Sequence, residues 1–236
     1  MRYKQWIFIG VLIVFLLTCG RIDLLAADTG FSTTKASSEE ATFPQNVELS
    51  LLESEPSKRT IDCFDVNEEG MVAVGCSKYE SRTVCVYTSE GHFQYGYSFK
   101  SFGAFEVELN EDILNIYFVL ENAAIVVNPL GEVLEVFEIP RTTGNETYWK
   151  YLYYSTHRKT ADAEYTMKND RKFLQFFATS YSQITVKYAD GQESILYDVT
   201  AAQMAKVIGN IILFMAVFLL VVIVIVRYSI KLKQRP

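Results

Sequence analysis

Polar and apolar positions alternate in short runs along most of this chain, and an uninterrupted apolar stretch lies near each end. From Asn46 onward, runs such as MVAVG, TVCVY and ILNIYF are broken every six to ten residues by turn formers. That rhythm predicts antiparallel β structure, with a body spanning residues 46–200. Near the C-terminus, Val207 to Val226 carries twenty residues without a charge, followed by Arg227, Lys231, Lys233 and Arg235. As a helix it would reach roughly 30 Å, one hydrocarbon core. Lipid leaves no backbone amide a water partner, so the reading is a transmembrane helix over 205–227, with Asn210 near its outer end and a basic tail over 228–236.

The first apolar stretch is shorter. Arg2 and Lys4 precede about fourteen mostly apolar residues, Trp6 to Cys19. Residues 1–27 read as a signal peptide, with Thr18 and Gly20 or Ala26 and Ala27 at the cleavage positions. A signal-anchor helix that borrows Ile22, Leu24 and Leu25 is the alternative, and Leu16-Leu17-Thr18-Cys19 admits a weaker lipoprotein reading. In each case bases flank the outer ends of the apolar runs, so both ends stay cytoplasmic and the β body is extracytoplasmic at the cell membrane.

Charge adds to this picture. Residues 28–205 hold 27 of the 28 carboxylates but only 14 of the 22 bases, an excess of 13 negative charges. Such a surface repels phosphate polymers and excludes a nucleic-acid role. Residues 28–45 are rich in Ser, Thr and charge without an apolar period and read as a flexible linker.

Within the body the turns recur. Asn67–Gly70, Asn110–Asp112 and Lys168–Asp170 each precede a strand, and Ser89–Gly91, Pro129–Gly131 and Ala189–Gly191 each fall one hairpin later. Gly91, Gly131 and Gly191 thus stand at equivalent positions, 40 and 60 residues apart. The pattern predicts three four-stranded units at about 61–99, 104–139 and 163–199. Asn46 to Leu52 adds a strand before the first, and Tyr148 to Tyr165 reads as an inserted hairpin turning near Lys159 to Asp162. These extra pieces are expected to cap exposed sheet edges.

The stretch Asp65 to Gly91, DVNEEGMVAVGCSKYESRTVCVYTSEG, resembles a blade of an NHL-type β-propeller: an acidic turn ending in Gly, an alternating Val strand, and a strand ending Val-Tyr before a second acidic-Gly turn. The likeness extends over Ile61 to Val199 and fades from the first unit to the third. It departs from the family at Arg82-Thr83, where Asn-Arg is common, and at Gly75, where an Asp is usual. The resemblance implies an all-β domain of three propeller-blade-like antiparallel units. Closed propellers use about four to eight blades, so an open arc, completion by a partner chain, and a compact sandwich are all open.

Candidate chemistry is sparse. His92 and His157 lack metal-spaced or elbow partners, and no GxSxG, HExxH or P-loop spacing occurs. No cofactor or metal site is read from the chain. Cys63, Cys76 and Cys85 sit in strand-like runs and read as small buried side chains. Trp149, Tyr151 and Tyr153 would share one face of the inserted hairpin, as core, as a surface that stacks on a protein, peptide or glycan, or as a stripe resting at the headgroup level. The expectation is therefore a non-catalytic, membrane-anchored binding or assembly module. The alternatives are a structural subunit of a membrane complex completed by a partner chain, and an extracytoplasmic hydrolase using His92 or His157.

Overall fold

The computed structural model describes residues 30–35, 48–170 and 180–233. The leader over 1–27 and the FLQFF run expected as a strand of the third unit lie outside the described residues. Three antiparallel sheets follow one another along the chain. The first holds β3 (Ile61–Val66), β4 (Val72–Lys78), β5 (Ser81–Tyr87) and β6 (Phe93–Lys100), with β2 (Ser50–Leu51) on its outer edge against Tyr97 and Ser98. The second holds β7 (Phe105–Asn110), β8 (Ile113–Phe118), β9 (Ala123–Val127) and β10 (Val133–Glu138), edged by β1 (Thr34–Lys35). The third holds β11 (His157–Lys159), β12 (Ala163–Lys168), β13 (Gln183–Tyr188) and β14 (Glu193–Asp198). Each is a meander of blade-like form, and the three do not close a ring.

The order of stacking follows from which side chains are apolar. Val72, Val74, Cys76, Cys85 and Tyr87 of the first sheet meet Tyr165, Met167, Ile184 and Val186 of the third. The alternate residues Ala73, Val84 and Val86 meet Val107, Leu114, Ile116 and Ile125 of the second. Both faces of the first sheet are thus buried, which is why β4 and β5 read as near-continuous apolar runs. Gly75 belongs to this interface: a Cβ there would stand 2.3 Å from Cys63 Sγ and 2.9 Å from the Phe105 ring. The far face of the second sheet is covered by Phe31 and a helix, α1 (Thr143–Tyr154). The far face of the third, with Glu164, Lys187 and Ile195, meets solvent.

Two expectations need correction. Part of the stretch read as a flexible linker is built into the fold: Phe31 is buried, and Thr34 and Lys35 pair with Glu138 and Phe137. Ser32 also donates its amide to Asn145 Oδ1 at 2.9 Å. In the third unit, the turn equivalent to Asn67–Gly70 is Thr160–Asp162, closing β11 on β12 with Lys159 opposite Glu164. Lys168–Asp170 instead leads out of β12 into the long connection to β13.

The recurring hairpins have one geometry. Gly70, Gly91, Gly131 and Gly191 have φ of 81°, 84°, 83° and 86°. Each donates its amide to the carbonyl three residues earlier, as Gly91 does to Thr88 at 2.9 Å and Gly191 to Tyr188 at 2.9 Å. This is a three-residue loop ending in a left-handed residue, where a side chain costs about a kcal/mol or more.

Strand direction gives the body two ends. The glycine hairpins lie at one, the hairpin end. β14 runs away from Gly191 and hands the chain to α2 (Thr200–Lys233), which leaves from the opposite, helix end. Gln203 and Val207 anchor its root: Gln203 Nε2 donates to the Ser180 carbonyl at 2.8 Å, and Val207 is buried. Beyond them the side chains through Ile225 are exposed. Within Thr200–Ile225 the most apolar 18-residue window has a mean hydropathy of 3.1, and the helix is long and apolar enough to span a membrane.

Candidate functional site

The residues expected on one strand face lie on α1 instead. Thr142 caps the helix, its Oγ1 accepting the Asn145 amide at 3.2 Å, and Glu146 stands in the first turn where the helix dipole favours an acid. Asn145, Tyr148, Trp149 and Leu152 then recur at helical spacing and face the second sheet. Trp149 packs 4.7 Å from Phe31 and 6.0 Å from Tyr117, ring centroid to centroid. Tyr151 and Tyr153 are 59% and 54% exposed; Tyr154, beside Tyr153, is 74% exposed. The structure therefore separates the three expected partners: Trp149 is anchor, Tyr151 and Tyr153 are surface. The cap at Thr142 and the 145/148/149/152 spacing are the sequence signal for this helix.

Under α1 and along the inner edges of the sheets lies a group of charged side chains far apart in sequence. The first strands β3, β7 and β11 have free edges that converge there. Asp65 of β3 accepts Arg158 Nε of β11 at 2.5 Å through one oxygen and the Leu109 amide of β7 at 2.8 Å through the other. Burial, outweighing Arg158, holds the Asp65 carboxyl above its usual range. Glu108 accepts hydroxyl hydrogen bonds from Tyr117 and from Tyr148 of α1, yet burial raises it too. Glu106 is 5% exposed. Burial pushes it up to about 8, with Arg158 opposing and Asp62 and Asp65 adding to the shift. A carboxyl held near neutral can serve as an acid or base, but this one is buried within the body.

A second group flanks the interface of the first and third sheets. Tyr197 accepts the Arg59 amide and donates to the Arg59 carbonyl, both at 2.9 Å. Lys58 Nζ stands 5.0 Å from the Tyr197 ring centroid and 5.5 Å from that of Tyr87. Cys76 and Cys85 line the same cleft as free thiols, and burial pushes them up to about 12 and about 11. Cys63 is likewise buried and free. None is a thiolate at neutral pH, so none has the character of a reactive cysteine.

The histidines are apart. His92 follows the Gly91 hairpin, while His157 begins β11 with Nδ1 3.1 Å from Thr166 Oγ1. Among the described residues no group of three or more His, Cys, Asp or Glu side chains could hold a metal ion. Comparison with protein families, curated proteins and solved structures finds no match to this chain. The blade-like sheets are therefore shown by their own topology, without a relative to extend them.

Proposed function

We propose that this chain is a membrane-tethered, non-catalytic β module that displays a tyrosine face for a protein, peptide or glycan on the extracytoplasmic side. The observation that carries this reading is the exposed set Tyr151, Tyr153 and Tyr154 on α1, a helix fixed to the second sheet by Trp149, Tyr148 and Leu152. Exposed aromatics on a rigid element give large contact area for little lost side-chain entropy. The experiment is crosslinking on intact cells followed by recovery of the full chain, wild type beside a Tyr151→Ala, Tyr153→Ala, Tyr154→Ala variant. A partner or glycan recovered by the first and lost by the second supports the reading. Identical recovery from both, or the chain alone from both, removes it.

The alternative, a subunit whose missing blades come from another chain, has less in its favour. A further blade would stack on the third sheet, whose free face is mostly polar, carrying Glu164, Lys187 and Lys168 beside Ile195. The arrangement fits an open arc of NHL-like blades that ends in solvent on one side and under α1 on the other. A monomeric mass for the detergent-extracted protein agrees with the arc; a defined larger assembly favours the subunit. A hydrolase reading rests on His92 or His157 alone, and hydrolytic turnover lost in the His→Ala variants would revive it. Placement outside the membrane rests on the basic residues beyond each apolar run, and protease added to intact cells should digest the body.

A further inference from the structure

Three apolar side chains at the helix end are more exposed than folding alone would leave them. Tyr79, in the β4–β5 turn, is 90% exposed, Phe102, between β6 and β7, is 79% exposed, and Leu120, in the β8–β9 turn, is 65% exposed. They form one rim. Arg82, buried beneath them, donates to the carbonyls of Tyr79 and, at 3.1 Å, Gly103. Ser101 donates its amide to Glu80 at 3.0 Å, and Val119 donates to Ala104 at 3.1 Å. Leu120 lies over Gly103, where a Cβ would stand 2.8 Å from its Cγ. Loops held this firmly present their apolar tips outward by construction.

The rim shares its end of the body with the root of α2. Strands β4, β6 and β8 run toward the rim as β14 runs toward Thr200, so the loops and the apolar helix lie at the same end. Acids lie at both ends, and lysines gather near the rim. Glu68, Glu69, Glu90, Glu111, Asp112 and Asp190, all exposed, crowd the hairpin end. At the helix end Lys78 and Lys100 flank Ser81 across adjacent strands, with Lys206 on the second turn of α2, and the acids Asp62, Glu80, Glu121, Glu138, Asp170 and Asp198 share that end. The end with the exposed apolar tips is also the end where Lys78, Lys100 and Lys206 gather, bases that suit an anionic surface.

We infer that Tyr79, Phe102 and Leu120 seat the body on the headgroup layer of the bilayer that α2 crosses, so that the module lies against the membrane instead of hanging from a free tether. Aromatic tips suit the membrane interface, where ring and lysine stem meet both lipid and water. This rests on the reading that α2 spans the bilayer, and it holds for either side.

The test uses the full chain in vesicles of mixed zwitterionic and anionic lipid, with Trp6→Phe and Trp149→Phe to leave no other indole. Single reporters are then placed at Phe102→Trp, at Tyr79→Trp as a second rim position, at Leu130→Trp in a hairpin-end turn that is 74% exposed, and at Phe218→Trp within α2. Lipids brominated high on the acyl chain should quench both rim reporters about twofold, as expected for rings buried at the acyl boundary, while the Leu130 reporter is unchanged. Rim reporters quenched no more than Leu130→Trp, in protein that floats with the vesicles and is quenched at Phe218→Trp, overturn the rim inference and leave the span intact. Failure to float, or a Phe218→Trp that lipids brominated deep in the acyl chain do not quench, overturns the span and the inference with it.

Discussion

Arg158 reaches from the third sheet to Asp65 of the first at 2.5 Å, and the other Asp65 oxygen holds the Leu109 amide of the second. One carboxylate therefore ties three strands together at their edges and supplies a partner for the Leu109 amide. Its side chain and that of Arg158 are 13% and 10% exposed, so neither charge is well hydrated if its partner is removed. Arg158→Ala should destabilise the protein by about 3 kcal/mol, the usual cost of an orphaned buried charge. Asp65→Asn with Arg158→Met keeps an acceptor for Leu109 while removing both charges, and should recover most of that loss. Urea unfolding of the detergent-solubilised full chain checks this; a double variant as unstable as Arg158→Ala would contradict the arrangement.

The glycine hairpins allow a test of the stacking order. Gly191 has φ of 86° with nothing within 4 Å of a Cβ, so Gly191→Ala carries backbone strain only, about 1 kcal/mol. At Gly91, φ of 84° is joined by the Leu196 carbonyl of the third sheet, 2.9 Å from the position of a Cβ. Gly91→Ala should therefore cost about 1 to 2 kcal/mol more, through a forced shift between sheets. Equal costs in paired unfolding curves would mean that the first and third sheets do not meet there.

Glu106 predicts a pH dependence. Its folded pKa of about 8 lies above the unfolded value of about 4.3. The unfolded chain gives up the proton first, so the stability associated with the neutral carboxyl is complete below about pH 4.3 and is lost as pH rises through about 8. Glu106→Gln mimics the neutral form. Relative to wild type the variant should gain stability progressively from about pH 5 to about pH 8, and the two should converge in acid. Parallel curves across that range would show that Glu106 is not held neutral.

These side chains also mark where sequence reading stops. The antiparallel repeat was legible because it rests on local requirements: a period of two in strands such as Val72–Lys78, and glycine where φ must be positive at residues 91, 131 and 191. The membrane-length helix was legible because an uncharged run of that length has few other uses. The charge group was not, since Asp65 and Arg158 are 93 residues apart and only the meeting of three sheet edges joins them. Lys168–Asp170 resembled the earlier turns because a hairpin is defined by the strand that returns, which local composition does not specify. The tyrosine-rich helix was masked by an alternation of aromatics that fits a strand equally well, and Phe31 by the Ser and Thr around it. The arrangement of the sheets, with the first in the middle, depends on both faces of β4 and β5 being apolar, and a run of Val and Ala alone does not name the partner for each face.

The division of α1 into anchoring and exposed residues gives a last expectation. Trp149 fills the space between Phe31 and Tyr117 over the second sheet, so Trp149→Ala should leave a cavity and cost about 2 to 4 kcal/mol, somewhat below a fully buried aromatic because its ring is partly exposed. Tyr153 touches Tyr154 and solvent, and Tyr153→Ala should change stability by less than about 0.5 kcal/mol. Unfolding curves read the first effect and partner recovery reads the second. If Tyr153→Ala unfolds the protein as readily as Trp149→Ala, Tyr153 packs in the core with Trp149 and offers no surface to a partner. If Tyr153→Ala is stable and recovers less partner, two residues one turn apart on the same side of α1 differ in role: Trp149 packs on the sheet, and Tyr153, near the end of the helix, meets the partner.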